Sequence, residues 1–210
     1  MKKNKITLLA VVLLVLLLIG GIFAYFTDIT STTTNVFTLG NVDITLTEPN
    51  WDYAQDGKTI MPGETVDKDP TITNAGNDDA FVFVQVSIPY YSVQTVAEEE
   101  ASPAVAAHDQ ELFTYTLNSG WVEVGTATVD STNHTKTHVF AYASSTAMTP
   151  LASGDDTPAV FDDVTFIEIN DASATAITTN NVSLDIDVTG YGIQANGLAS
   201  DAPADVWAEF

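Results

Sequence analysis

Beyond residue 40 the chain is dominated by alternation of apolar and polar positions. Val42, Ile44 and Leu46 alternate with Asp43, Thr45 and Thr47. A period of two places one face of a strand on a core and the other in water. Ile72 stands between Thr71 and Thr73 in the same way. Residues 81–88 (FVFVQVSI) begin apolar on both phases, which predicts a strand buried on both faces. Residues 113–117, 121–124, 139–142, 164–169 and 182–188 are further short runs rich in Val, Ile, Thr, Phe and Tyr. Asn-Gly, Pro-Gly, Ser-Gly and Gly-Asp-Asp steps separate them and predict turns. Eight or more such strands predict an all-β fold, a jelly-roll-like β-sandwich. Two stretches predict short helices. Ser102 and Pro103 suit the cap and first position of one that runs to Glu111, with Val105 and Leu112 inward. Residues 201–210 suit another, with Pro203 near its start and Val206 and Trp207 docking. Residues 97–107 (AEEEASPAVAA) are acidic and alanine-rich and read as an exposed insertion. No internal repeat or interdomain linker is visible.

The N-terminus follows a different pattern. Lys2, Lys3 and Lys5 form a basic head, and residues 6–26 are apolar except for Thr7. Gly20 and Gly21 interrupt the run, and Ala24 is a small residue suited to precede a cleavage. This is the three-part layout of a secretory signal, cut between Ala24 and Tyr25. The competing reading is a retained anchor, since the apolar run is long enough to span a bilayer. That segment is the one route by which the chain is expected to associate with a membrane. In both cases the basic head stays inside and the body is exported. A type IV pilin leader needs a glutamate just inside the apolar run, and none is there. The organisation read from the sequence is a signal (1–24), an N-terminal strand (25–39) and a β-sandwich domain (40–210).

Residues 25–34 (YFTDITSTTT) are strand-forming and are not followed by a strong turn before Asn35. Such a strand either tucks into its own sheet or completes the sheet of another subunit. Phe26 and Ile29 are the side chains it offers.

Charge narrows the partners. The chain has six Lys plus Arg against 28 Asp plus Glu, a net of -22 over 210 residues. Removal of residues 1–24 takes three lysines and no acid, so the net moves to -25. Nucleic-acid binding needs a basic patch that releases phosphate counterions, and three lysines cannot make one. With no cysteine, disulfides, cysteine-ligated metals and cysteine lipidation are excluded. An aromatic content of 10% and many β-branched residues argue against disorder despite the acidity.

Candidate chemistry is sparse. His134 and His138 (HTKTH) are four apart, but threonines surround them and a strand follows. In an extended chain that spacing is about 13 Å, too far for one metal, and no glutamate between them supplies zincin logic. His108 reads as an exposed residue of the predicted short helix. The pairs Asp78–Asp79, Asp155–Asp156 and Asp162–Asp163 are hard oxygen donors of the kind calcium takes in turns. No EF-hand spacing accompanies them, and solubilising turn charge is the simpler reading. Asp185 and Asp187 lie on the outward phase of a run whose inward phase is Leu184, Ile186 and Val188. No Gly-x-Ser-x-Gly elbow, dinucleotide fingerprint or Walker sequence is present. No cofactor and no catalytic residue is expected.

The signal boundary Gly21-Ile-Phe-Ala-Tyr-Phe-Thr-Asp28, with residues 35–40 (NVFTLG) and 42–46 (VDITL), resembles the TasA/camelysin family of Gram-positive bacteria. Residues 61–64 (MPGE), 73–76 (TNAG) and 188–195 (VTGYGIQA) are similar to later turns and a strand of that family. Residues 93–160 match no part of it. The resemblance implies export through a SipW-type signal peptidase and a jelly-roll fold at the cell surface or in a biofilm matrix. It also implies self-association into filaments in which the N-terminal strand of one subunit completes the next. Phe26, Ile29, Val36 and Phe37 would then be the assembly residues. Camelysin relatives are described as metallopeptidases; this sequence lacks a recognisable zinc motif, so that activity is not expected here.

Overall fold

The computed structural model describes residues 41–51 and 59–210. The signal segment, the Ala24–Tyr25 junction and the strand residues Phe26, Ile29, Val36 and Phe37 lie outside the described residues. The described strands are β1 (Ile44–Thr47), β2 (Thr65–Asp67), β3 (Thr71–Asn74), β4 (Ala80–Val93), β5 (His108–Glu111) and β6 (Phe113–Tyr115). They continue with β7 (Trp121–Glu123), β8 (Thr128–Asp130), β9 (Thr135–Tyr142), β10 (Asp163–Phe166) and β11 (Asp187–Gln194). Three short helices join them: α1 (Val96–Glu100), α2 (Asp171–Thr179) and α3 (Pro203–Trp207). The protein is all-β, a sandwich with a few short helices, as the alternation predicts.

β4 organises the larger layer. Its even residues Val82, Val84, Val86 and Ile88 are fully buried in the main core. Its odd residues Phe81 and Phe83 enter a second cluster on the opposite face with Met148 and Val206. This is the doubly buried strand read from the sequence. One edge of β4 pairs antiparallel with β11, from Ala80↔Gln194 to Ser87↔Asp187. The other edge pairs with β9, from Phe83↔Ala141 to Pro89↔Thr135. Past the end of β11, residues Tyr90–Val93 pair with β5 instead. Pro89 falls at that change of partner, where its missing N–H breaks no ladder bond, and its carbonyl accepts from the Leu112 amide at 2.8 Å. β7 and β8 in turn cover the far edge of β9.

The second layer consists of the β1–β3 pair and the three-stranded sheet β2–β10–β6. The β1–β3 pair lies hard against β11 because β11 carries glycines. A Cβ on Gly190 would come within 2.6 Å of Ile72 Cδ1, and one on Gly192 within 2.8 Å of Ile44 Cγ2. Between the layers, Ile72, Val84, Phe113, Phe140, Phe161 and Val164 form the main core.

Three sequence readings change. The helix predicted from Pro103 to Glu111 is absent: residues 101–107 are exposed without regular structure, and His108–Glu111 is β5. The helix of this region sits earlier, where Thr95 and Glu98 make a capping box. Thr95 Oγ1 accepts from the Glu98 amide at 3.2 Å, and the Glu98 carboxylate accepts from the Thr95 amide at 2.8 Å. Residues 108–111 are drawn into a strand because the overhanging end of β4 needs a partner. The strand predicted over 182–188 starts only at Asp187 and runs on to Gln194. Residues 182–186 keep the alternating burial without a ladder. α2 has no counterpart among the elements that the sequence predicts. Asn170 caps it through Oδ1, which accepts from the Ser173 amide at 2.9 Å, and Ile177 anchors it. The C-terminal helix is present as α3, with Val206 buried. Among the described residues, no helix is long and apolar enough to cross a membrane.

Candidate functional site

Two places in the domain combine exposed backbone or ionisable groups with a defined geometry. The first is the outer edge of β11 and the cleft at its start. β11 is the end strand of its sheet, and among the described residues β4 is its one ladder partner. Its first residues, Asp187 and Val188, line a cleft of about 540 Å³ whose apolar wall includes Leu46, Ile60, Leu184 and Ile186. Lys68 closes one side. Its Nζ lies 2.7 Å from Glu48 Oε1 and 5.2 Å from the centre of the Trp51 ring. The neighbouring Asp69 accepts from the amide and Nδ2 of Asn50, at 3.0 and 2.8 Å. The chain leaving β1 is thus tied to the connection between β2 and β3. An apolar wall beside a strand edge that no other described strand pairs is the geometry in which a strand can be added, with backbone bonds for affinity and alternate side chains in the cleft.

The second place is built on His138. The strand β9 points this residue inward, and only 7% of it is exposed. Its Nε2 is 2.7 Å from Glu111 Oε1 on β5, and its Nδ1 is 2.7 Å from Glu123 Oε1 on β7. Lys136 Nζ binds the other Glu111 oxygen at 2.9 Å. The Tyr115 ring meets the imidazole edge-on at 6.2 Å, and Phe140 lies parallel to it at 5.8 Å. The hydrogen bond to Glu111 raises the His138 pKa; burial opposes this, and Glu123 adds to it. For Glu111, burial favours the neutral acid, but bonds from His138 and Lys136 outweigh it and hold the carboxyl below its ordinary range. Burial, with the two glutamate charges, pushes the Tyr115 hydroxyl well up. Glu111, Tyr115 and Glu123 also wall an open cleft of about 510 Å³.

The other sequence candidates stay apart from these places. His134 is in the β8–β9 turn with φ 54°, and its ring meets Tyr91 edge-on at 4.9 Å. His108 is exposed, as expected, but on β5 and not on a helix; its Nε2 is 3.6 Å from Glu98. Asp156 accepts from Thr73 Oγ1, and Asp162 accepts from Asn118 Nδ2 at 2.8 Å, so both serve turn structure. Asp185 and Asp187 are exposed. The sequence marks His138 only as half of a pair with His134 and does not couple it to Glu111 and Glu123. Their separations of 27 and 15 residues are bridged only by strand pairing. A lone inward histidine among threonines on a strand was the available signal.

A protein-family model described as camelysin metallo-endopeptidase matches residues 1–148. Comparison with curated proteins and with solved structures finds no match. A metallo-endopeptidase holds its metal with about three side-chain ligands. Among the described residues, no group of three His, Cys, Asp or Glu is disposed to hold a metal ion. His138 engages both ring nitrogens with carboxylates on opposite sides. The described residues do not fit such a metal.

Proposed function

The chain belongs to the camelysin metallo-endopeptidase family, and from that premise we propose that it is an exported structural subunit of extracellular fibres or biofilm matrix. Residues 1–24 direct export and are removed by a SipW-type signal peptidase between Ala24 and Tyr25. Residues 25–39 then serve as a strand that one subunit donates to the next. The observation that carries this reading is the outer edge of β11, which pairs with no other strand among the described residues, beside an apolar cleft. A strand added there gains backbone hydrogen bonds, and Phe26, Ile29, Val36 and Phe37 supply side chains for the cleft. A head-to-tail contact of this kind does not close on itself and yields an open filament. The test is filament formation by the mature protein and by a form lacking residues 25–39. The reading requires filaments from the first and none from the second; equal polymerisation of both refutes it. Mass spectrometry of the exported N-terminus checks Tyr25 as the first residue.

The family description favours a second reading, a cell-surface metallopeptidase. Stoichiometric zinc together with chelator-sensitive casein cleavage by the purified chain would establish it. Their absence leaves the structural role.

A further inference from the structure

The Glu111–His138–Glu123 arrangement contains a stereochemical constraint. A neutral imidazole carries one N–H and one lone pair, whereas an imidazolium donates from both nitrogens. Both nitrogens of His138 face carboxylate oxygens at 2.7 Å, and ionised carboxylates only accept. Both contacts can be hydrogen bonds only when the ring carries two protons. Deprotonation turns one of them into a lone pair against a carboxylate, which must separate.

The two carboxylates are not equivalent. Glu111 has 24% of its side chain exposed and keeps a second partner in Lys136, whereas the Glu123 side chain is 43% exposed. Glu123 can turn into water at little cost, and Glu111 cannot. The strands they sit on differ too. β5 is anchored to β4 over four residue pairs and continues into the buried Leu112 and Phe113. β7 is a three-residue edge strand, paired over Trp121↔Tyr142, Val122↔Ala141 and Glu123↔Phe140. We propose that Glu111, His138 and Glu123 form a proton-operated clasp: with two ring protons it fastens both β5 and β7 to β9, and loss of the Nδ1 proton releases the Glu123 end and loosens the β7 edge.

The surrounding groups are consistent with this role. Glu111 on β5, Glu123 on β7 and the Tyr115 ring on β6 face the imidazole, and Lys136 on β9 binds Glu111. The residue of β4 in register with His138 is the uncharged Val86. On β8, Asp130 is already held by the amides of Thr132 and Asn133, at 2.8 and 3.1 Å. With His138 and Lys136 charged, the cluster is neutral; without the ring proton it carries one net negative charge in a chain that is already acidic. The raised His138 pKa means that the clasp is fully closed below the ordinary histidine value of 6.5 and opens as pH rises through the folded-state value.

The test combines two measurements on the exported chain. With ¹⁵N-labelled histidine, NMR should show His138 with both nitrogens protonated below about pH 6 and as the Nε2–H form at high pH. Hydrogen exchange read by mass spectrometry, corrected for the intrinsic pH effect, should show β7 losing protection across the same transition while β4 does not. The loss should be about tenfold for each unit by which the Glu123 contact raises the pKa, since Glu111 stays bound when β7 loosens. Glu123→Gln should lower the midpoint, and His138→Gln should remove the β7 step. An unprotonated ring nitrogen in mildly acidic solution would overturn the clasp. So would a β7 step that persists in His138→Gln or, if that variant fails to fold, an unmoved midpoint in Glu123→Gln. Neither measurement depends on filament formation.

Discussion

Substituting Gly190 with alanine tests whether side-chain exclusion sets the approach of the two layers. Gly190 is not among the glycines with positive φ, so its backbone suits an L-residue. With space available, Gly→Ala stabilises by about 0.4–1 kcal/mol through the unfolded chain. Here the new Cβ would lie 2.6 Å from Ile72 Cδ1, with Ile44 Cδ1 at 3.4 Å and Leu46 Cδ1 at 3.6 Å. Carbon atoms prefer about 3.5–4.0 Å, so only the Ile72 contact must open, by roughly 1 Å. Ile72 is fully buried and cannot swing into solvent. Overpacking of this kind costs about 1–3 kcal/mol, leaving Gly190→Ala destabilising by about 1–2 kcal/mol. Ile72→Val removes the clashing methyl and alone costs about 0.5–1.5 kcal/mol. In that background Gly190→Ala should become neutral or stabilising, a coupling of about 1–2 kcal/mol. Urea unfolding of the four proteins in the cycle, followed by circular dichroism, measures it. At about 2–4 °C per kcal/mol for a domain of this size, Gly190→Ala alone should lower the melting temperature by about 2–8 °C. Additive penalties within about 0.5 kcal/mol would refute the reasoning, because the Ile72 methyl would then not be the obstacle.

Stability should also peak in mildly acidic solution through the His138 cluster. Glu111, with its folded pKa lowered, contributes above its ordinary value of 4.5 and loses that contribution as pH falls through the folded value. His138, with its folded pKa raised, contributes below 6.5 and loses it as pH rises through the folded value. Denaturant midpoints across pH should show both limbs, with the alkaline one flattened in His138→Gln; identical alkaline limbs would contradict this. Asn74 is fully buried, donates to the carbonyls of Asp78 and Leu151 and accepts from the Gly76 amide. Asn74→Ala should therefore cost about 2–4 kcal/mol in denaturant unfolding, and a loss below 1 kcal/mol would be incompatible with that network. Phe83→Ala empties a fully buried site that touches Trp207 at a ring separation of 5.2 Å; the expected loss is about 3–5 kcal/mol, read by Trp fluorescence during unfolding. Filament yield should rise with salt, divalent cations or falling pH as repulsion between acidic subunits is screened or neutralised, and a flat yield by light scattering would mean that the charge only solubilises.

The strands were readable wherever one residue type did one job. β4 announces itself because apolar residues on both phases have no use except burial on two sides, and the main core on one face and the cluster with Met148 and Val206 on the other supply those sides. β1 and β3 are equally plain from Ile44, Leu46 and Ile72. Misreadings arose where two local signals competed. Ser102-Pro103 resembles a helix start, yet Thr95 and Glu98 carry the stronger reciprocal cap, and residues 108–111 answer a pairing demand made by Tyr90–Val93. α2 was hidden because Thr175, Ile177, Thr178 and Thr179 favour strands in isolation, while the helix depends on the Asn170 cap and on Ile177 reaching the core. The His138 cluster was illegible for a different reason: its members are joined only by register, and register follows from the completed sheet.

That cluster also bears on how so acidic a chain could assemble. Lys68 and Lys136 are the lysines among the described residues, and each is committed within its own domain, to Glu48 and to Glu111. Neither side chain is more than 28% exposed. The described surface therefore offers no free lysine to meet a neighbour's carboxylates, and ion pairing from lysine cannot be the source of subunit affinity there. What the domain does offer is the uncharged backbone row of β11 and the apolar wall formed by Leu46, Ile60, Leu184 and Ile186, in a cleft that Asp185 and Asp187 also line. Backbone hydrogen bonds and apolar burial are insensitive to the net charge that keeps whole subunits apart. Attraction confined to a strand edge, set against repulsion over the rest of the surface, favours one directed contact over lateral clumping. The proposed strand donation is compatible with this distribution of charge over the described residues.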